Sequence, residues 1–167
     1  MKKIFYTFLT VLFIASFITL PVYAGDVVKL VAGQTETAAH VLIENDDDYV
    51  WVNFFDFQSG WCLQEAHIHV ATSLSGFPLT GSGNPKIGHF DLAYYASGCT
   101  TAPPWLGLPI PDGISEGETI LIAIHAVVVG PSGEETGWAV YCGDLANGFP
   151  FRGNSWAVYH AYEIEPY

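Results

Sequence analysis

Apolar and polar residues alternate along most of the chain after residue 25, which is the pattern of β-strands with one buried face. The apolar positions are rich in Val, Ile, Tyr, Phe and Trp, and turn sequences such as Asn45-Asp46-Asp47-Asp48 separate the runs. No apolar repeat of helical period persists over three turns in this part of the chain. We predict eight strands, at residues 27–31, 37–44, 49–57, 61–71, 89–95, 119–129, 137–142 and 156–164.

The spacing of these strands predicts an all-β fold, a single-domain antiparallel β-sandwich or jelly-roll of about 7–9 strands. The least regular part is residues 96–118, which carries Pro103, Pro104, Pro109 and Pro111. Because proline cannot donate a hydrogen bond to a central strand, we interpret this part as a surface loop or a crossover.

The N-terminus has the pattern of an export signal. Lys2 and Lys3 precede an apolar run over residues 4–20, and Val22-Tyr23-Ala24 forms a small-x-small cleavage pattern before Gly25. We predict a signal peptide at residues 1–24 and a β-sandwich domain at residues 25–167. The alternative is an uncleaved membrane anchor, for which the apolar run is long enough. Cleavage predicts a secreted protein, extracellular or periplasmic, that no longer contacts the membrane.

The composition and charge of the chain exclude two classes of protein. Among 167 residues there are 17 Asp and Glu against 5 Lys and Arg, and 15% of the residues are aromatic. So many aromatic residues with so few charges exclude a disordered chain. So few cations exclude a nucleic-acid binder, because phosphate binding needs a cationic surface. An acidic surface also attracts divalent cations.

Export to an oxidising compartment predicts one disulfide among the three cysteines, Cys62, Cys99 and Cys142. Cys62 shares the parity of the apolar positions Ala66 and Ile68 in a predicted strand, which indicates a buried thiol. Cys99 and Cys142 both stand beside glycine in loop-like sequence. The favoured pair is therefore Cys99 with Cys142.

The most specific local pattern is Glu65-Ala66-His67-Ile68-His69. Alternate side chains of a strand share a face, so Glu65, His67 and His69 project together. Two imidazoles and a carboxylate in that arrangement suit Zn or Cu, with His125 or His89 as further ligands from other strands. The competing interpretation is that each histidine is hydrogen-bonded within a packed core.

Two further groups of residues have candidate binding roles. Asp46, Asp47 and Asp48 offer hard oxygen ligands for a structural Ca ion, although they lack an Asp-x-Asp-x-Asp-Gly loop and also suit a solvated hairpin turn. The tryptophans suit a carbohydrate-stacking platform, or core packing instead. These residues are Trp51, Trp61, Trp105, Trp138 and Trp156.

Several motifs follow one another in order after residue 25. They include His-x-His-Val-Ala, Gly-Asn-Pro-x-x-Gly-His-Phe, Ile-Ala-x-His-Ala and Gly-x-x-Trp-Ala-x-Tyr, which lie within residues 60–71, 83–90, 122–126 and 149–159. This succession resembles a widespread exported β domain of bacteria and archaea. The resemblance implies a secreted or surface β domain without an established activity, and it carries over no catalytic residue. The matching positions are His67, Asn84, Pro85, Gly88, Phe90, His125, Trp138, Gly153 and Trp156.

Nucleophilic catalysis has little support in the sequence, because no cysteine stands beside a recognisable activating histidine. The sequence therefore favours a non-enzymatic protein of the cell surface or matrix that serves adhesion, matrix assembly or ligand binding, with carbohydrate or other surface proteins as partners. The alternative is a metal-binding protein or metal-dependent enzyme that uses the Glu-x-His-x-His strand.

Overall fold

The computed structural model describes residues 25–141 and 148–166, which are almost entirely antiparallel β-structure. The predicted all-β class is confirmed, with ten strands and two short 3-10 helices at Leu74–Gly76 and Ile87–His89. The signal peptide predicted at residues 1–24 lies outside the described residues. Neither 3-10 helix, nor any other helix in the described ranges, has the length and apolar composition to cross a membrane. The strands are β1 Asp26–Ala32, β2 Glu36–Asn45, β3 Tyr49–Phe55, β4 Cys62–Ala71, β5 Leu92–Thr100, β6 Leu106–Pro109, β7 Thr119–Gly130, β8 Gly133–Tyr141, β9 Phe149–Pro150 and β10 Val158–Glu163.

Eight of the ten strands lie side by side in the order β5-β4-β7-β8-β1-β2-β3-β6, while β10 pairs with β7 and β9 pairs with β10. Strand β7 is long enough to take two partners on one side. Its second half pairs with β8, and its first half, from Thr119 to Ile122, pairs with β10. The sheet curls until it is nearly closed into a barrel- or sandwich-like shape.

The inner face of this curled sheet holds the main hydrophobic core. Alternate residues of each strand point inward, such as Val28 and Leu30 of β1 and Ile120, Ile122 and Ile124 of β7, and all five are fully buried. Each such aliphatic side chain contributes about 1.5–3 kcal/mol relative to an exposed one. The alternation of apolar and polar residues that predicts the strands therefore also identifies the core residues.

A second hydrophobic cluster lies on the outer face of β4, β7 and β8, and we call this region the covered face. Two segments, residues 72–91 with both 3-10 helices and residues 148–157 with β9, lie over it and contribute Phe77, Phe90 and Phe151. Strand β7 is buried on both faces as a result, which explains its nearly continuous apolar sequence. The sheet residues of the cluster are Val31, Ala71, Ala123, Trp138, Val140 and Val158.

The irregular part of the chain differs from the sequence interpretation. Residues 96–118 contain the end of β5 and the short strand β6, which pairs with β3 and so belongs to the sheet. His89, predicted to begin a strand, ends a 3-10 helix instead, and β5 begins at Leu92.

The disulfide joins Cys62 to Cys99, so the predicted pairing of Cys99 with Cys142 is wrong. The physical reason is an irregularity in β4 between Leu63 and Glu65, where the register with both neighbouring strands shifts. This bulge reverses the parity, so that Leu63 is fully buried while Cys62 is only half-buried. Cys62 then faces Cys99 on the neighbouring strand β5, at a Cα–Cα distance of 5.4 Å. Cys142 lies outside the described residues.

Candidate functional site

The predicted histidines lie on the covered face. His67 of β4 stands directly opposite His125 of β7 in the antiparallel register, and His125 stands opposite Trp138 of β8. The ring centroids of the two histidines are 5.9 Å apart, and those of His125 and Trp138 are 5.0 Å apart. The alternation of β4 therefore places Glu65, His67 and His69 on one face, as the sequence indicated.

Both facing histidines are buried, with 7% of His67 and 5% of His125 exposed. The Nε2 atom of His67 lies 3.4 Å from Oε2 of Glu65, whereas Nδ1 of each histidine has no hydrogen-bond partner among the described residues. Burial, with a smaller contribution from His67, lowers the pKa of His125 to about 4. His125 is therefore a neutral ring at physiological pH.

His69 fastens the covering segment to the sheet. Its Nε2 atom lies 3.1 Å from the carbonyl oxygen of Gly76, and its Nδ1 atom lies 2.9 Å from Oδ2 of Asp91. Its ring also packs against Phe77 and Phe90. These contacts occupy both ring nitrogens of His69 with residues of the cover.

The predicted metal ligands do not come together as a set. His89 is exposed at the end of its 3-10 helix, and His69 is engaged by the cover. Within residues 25–141 and 148–166, no group of three or more His, Cys, Asp and Glu side chains is placed to hold a metal ion. Glu65, His67 and His125 share the covered face, but the Zn or Cu centre stays a prediction.

The acidic turn between β2 and β3 is organised by Asp46. Its Oδ1 atom accepts hydrogen bonds from the backbone N–H groups of Asp48 and Tyr49, at 2.9 and 2.7 Å, and its Oδ2 atom accepts one from Nε1 of Trp51 at 2.8 Å. The Trp51 bond, followed by the backbone bonds, lowers the pKa of Asp46. The side chain therefore closes the hairpin as an Asx-turn. The Ca role of Asp46, Asp47 and Asp48 stays a prediction.

The two segments of the cover hold each other through Asn84. Its Oδ1 atom accepts a hydrogen bond from the backbone N–H of Ser155 at 3.0 Å, and Gly153 packs directly against it. The motifs around Asn84 and Gly153 are distant in sequence and meet here over the covered face. Trp156 also packs against the hydrophobic cluster of that face.

Replacing Gly153 by alanine is expected to destabilise the protein by about 1–3 kcal/mol, because the new methyl group has no room. An added Cβ would lie 2.7 Å from the backbone nitrogen of Asn84 and closer still to its side chain. The measurement is the urea midpoint. Gly81→Ala is the matched control, since a Cβ there has no atom within 4 Å. Equal midpoints for the two variants would contradict the close packing of the cover.

Among the described residues, no such segment lies over the outer face of β2, β3, β6 and the first part of β1, and we call this face the open face. Alternate residues of β3 point outward there, namely Tyr49, Trp51, Asn53 and Phe55. Their neighbours in register on β2 are Glu44, Leu42 and His40, which stand beside Trp51, Asn53 and Phe55 respectively. On the other side Trp51 faces Gly107 of β6.

A groove of about 460 Å³ opens on this face. Trp105, which directly precedes β6, is 44% exposed, and Asn53 is half-buried beside it. Carbohydrate stacking was an interpretation of the sequence for five tryptophans, and the structure separates them, since Trp138 is buried under the cover. Asn53 and Phe55 were not identified from the sequence, although their alternate spacing in β3 is the signal for a shared face. The groove is lined by Val27, Leu42, Asn53, Phe55 and Trp105.

Comparisons of this chain with protein-family models, with curated proteins and with solved structures gave no match. The candidate site is therefore defined by its own geometry, which combines exposed aromatic rings, one amide and flanking carboxylates on an uncovered sheet.

Proposed function

We propose that the protein is an exported, non-enzymatic β domain that binds neutral carbohydrate through the groove of the open face. The observation that carries the proposal is Trp105, whose ring is 44% exposed at the edge of a groove that also holds the amide of Asn53. Apolar side chains that are grouped in one surface groove, here Trp105 with Phe55 and Leu42, mark a binding site in a way that a single exposed side chain does not.

The groove has the two kinds of group that a sugar ring needs. The C–H faces of a pyranose pack against aromatic rings, here Trp105 and Phe55, since the ring face carries partial negative charge. The hydroxyl groups need hydrogen-bond partners, and Asn53 offers both a donor and an acceptor. An apolar pocket with a few fixed polar groups is the usual form of a small-molecule site.

The charge of the protein selects neutral sugars. The chain carries a formal net charge of −12, and the predicted cleavage would remove Lys2 and Lys3. The carboxylate of Glu44 flanks the open face, and that of Asp56 lies 3.0 Å from Nδ1 of His40. Sulfated or uronic-acid glycans would be repelled by this surface.

One observation supports a location outside the cell, and another supports binding of the sugar rather than its hydrolysis. The disulfide between Cys62 and Cys99 is of a kind that forms and persists in oxidising compartments. The five residues that line the groove include no acid, base or nucleophile that would act on a glycosidic bond.

Trp105→Ala is expected to weaken binding of a neutral oligosaccharide by about tenfold, because the stacking surface is lost. The ligand is chosen by screening cello-, xylo-, manno-, chito- and malto-oligosaccharides against residues 25–167, and titration calorimetry measures the affinity. Tyr95→Ala is the matched control, since Tyr95 is 63% exposed but lies on β5, away from the groove. Absence of binding in every series, or equal loss in both variants, would refute the proposed function.

A further inference from the structure

We infer that the open face binds an extended chain of sugar units that runs along β3, rather than a single terminal sugar. This inference rests on the proposed function, and it adds the length and direction of the ligand. The groove at Trp105 is one end of the line, and the ring pair of Trp51 and Tyr49 is the other.

The outward positions of β3 form a straight row. Tyr49, Trp51, Asn53 and Phe55 are alternate residues of one strand, so neighbouring side chains are about 7 Å apart and the row is about 20 Å long. Three of the four are aromatic. A row of this length exceeds one sugar ring and matches several consecutive units of an extended oligosaccharide.

The ring of Trp51 is held flat against the sheet. A Cβ built at Gly107 would lie 2.6 Å from Cζ3 and 2.9 Å from Cη2 of Trp51, so the ring lies directly over the glycine. The hydrogen bond from Nε1 to Asp46, at 2.8 Å, fixes the ring in its plane. One face of the ring is therefore against β6, and the opposite face is directed away from the sheet.

Tyr49 extends this platform beyond Trp51. It is 41% exposed, and its ring centroid lies 5.5 Å from that of Trp51, with the two planes tilted by 37°. A tilt between successive aromatic rings suits a polysaccharide whose sugar units rotate along the chain. The polar side chains beside the row, Glu44 next to Trp51 and Asn53 within it, would bind hydroxyl groups along the length of the chain.

The test compares a disaccharide and a hexasaccharide of whichever series binds, by titration calorimetry on residues 25–167. The hexasaccharide is expected to bind about tenfold more tightly. Tyr49→Ala is expected to remove most of that advantage by weakening the hexasaccharide more than the disaccharide, whereas Trp105→Ala weakens both ligands. Tyr95→Ala serves as the control for an exposed aromatic residue on another part of the sheet.

The outcomes separate this inference from the proposed function. Equal affinity for the two lengths, or a Tyr49→Ala loss that is the same for both, would overturn the extended chain while leaving binding in the groove intact. Absence of binding in every oligosaccharide series would instead end the proposed function itself. Far-UV circular dichroism and the urea midpoint of each variant establish that the loss is not unfolding.

Discussion

Joint replacement of Cys62 and Cys99 by alanine is expected to lower the free energy of unfolding by about 4 kcal/mol. The bond closes a sequence separation of 37 residues, so its removal restores conformational freedom to the unfolded chain. It also ties β4 to β5 where their ladder is irregular, between the pairs at Leu63 and Glu65. Urea denaturation at neutral pH measures the change.

Cys142 is replaced by alanine in both the reference protein and the double variant, which prevents a substitute pairing. The reference protein is expected to retain a disulfide with no reactive thiol, as counted by labelling under denaturing conditions. A thiol count of two in the reference protein would contradict the Cys62–Cys99 pairing.

Acidification from pH 7 to pH 4 is expected to destabilise the fold by about 3 kcal/mol through His125 alone. Its pKa is about 4 in the folded protein and 6.5 when unperturbed. Between these values the unfolded chain binds a proton that the folded chain does not, so stability is complete above pH 6.5 and falls as the pH decreases toward 4. His160, whose pKa is also lowered by burial, adds to the loss in the same direction.

His125→Leu is expected to flatten this pH dependence and to keep or raise stability at pH 7, since it removes a buried ring whose Nδ1 has no partner. The measurement is the free energy of unfolding in urea at several pH values from 7.5 to 4. His89→Gln, at an exposed position, is the control and keeps the full slope. A wild-type curve that stays level over this range would refute the assignment to His125.

The strand pattern was largely predictable, and so was the shared face of Glu65, His67 and His69, because both depend only on the two-residue repeat of a strand. The disulfide was not predictable by the same rule. A bulge near Glu65 reverses the parity of Cys62, and the sequence contains no proline or glycine there to indicate it. The position of such a bulge depends on how the strand pairs with its two neighbours, which the local sequence does not specify.

The candidate site was only partly predictable for a different reason. The sequence identifies Trp51 and Trp105 as candidate stacking residues, but it does not show whether their rings are exposed. Exposure depends on which strands are neighbours and on which segments lie over the sheet. Trp138 lies on a strand, as Trp51 does, and it is buried because residues 72–91 and 148–157 lie over its face. The order of the strands, with β6 beside β3, is long-range information.

The position of β1 in the middle of the sheet has a consequence for the order of folding. One edge of β1 pairs with β2, which is close in sequence. The other edge pairs with β8, which is distant in sequence, as in the pair of Val28 with Tyr141. The first half of β7 pairs with β4 on one edge, but its other edge is completed only when β10 pairs with it. A partly synthesised chain therefore has no complete sheet to form, and so many distant pairings make folding slow. This late completion of the sheet is compatible with the proposed export of the protein through a narrow channel.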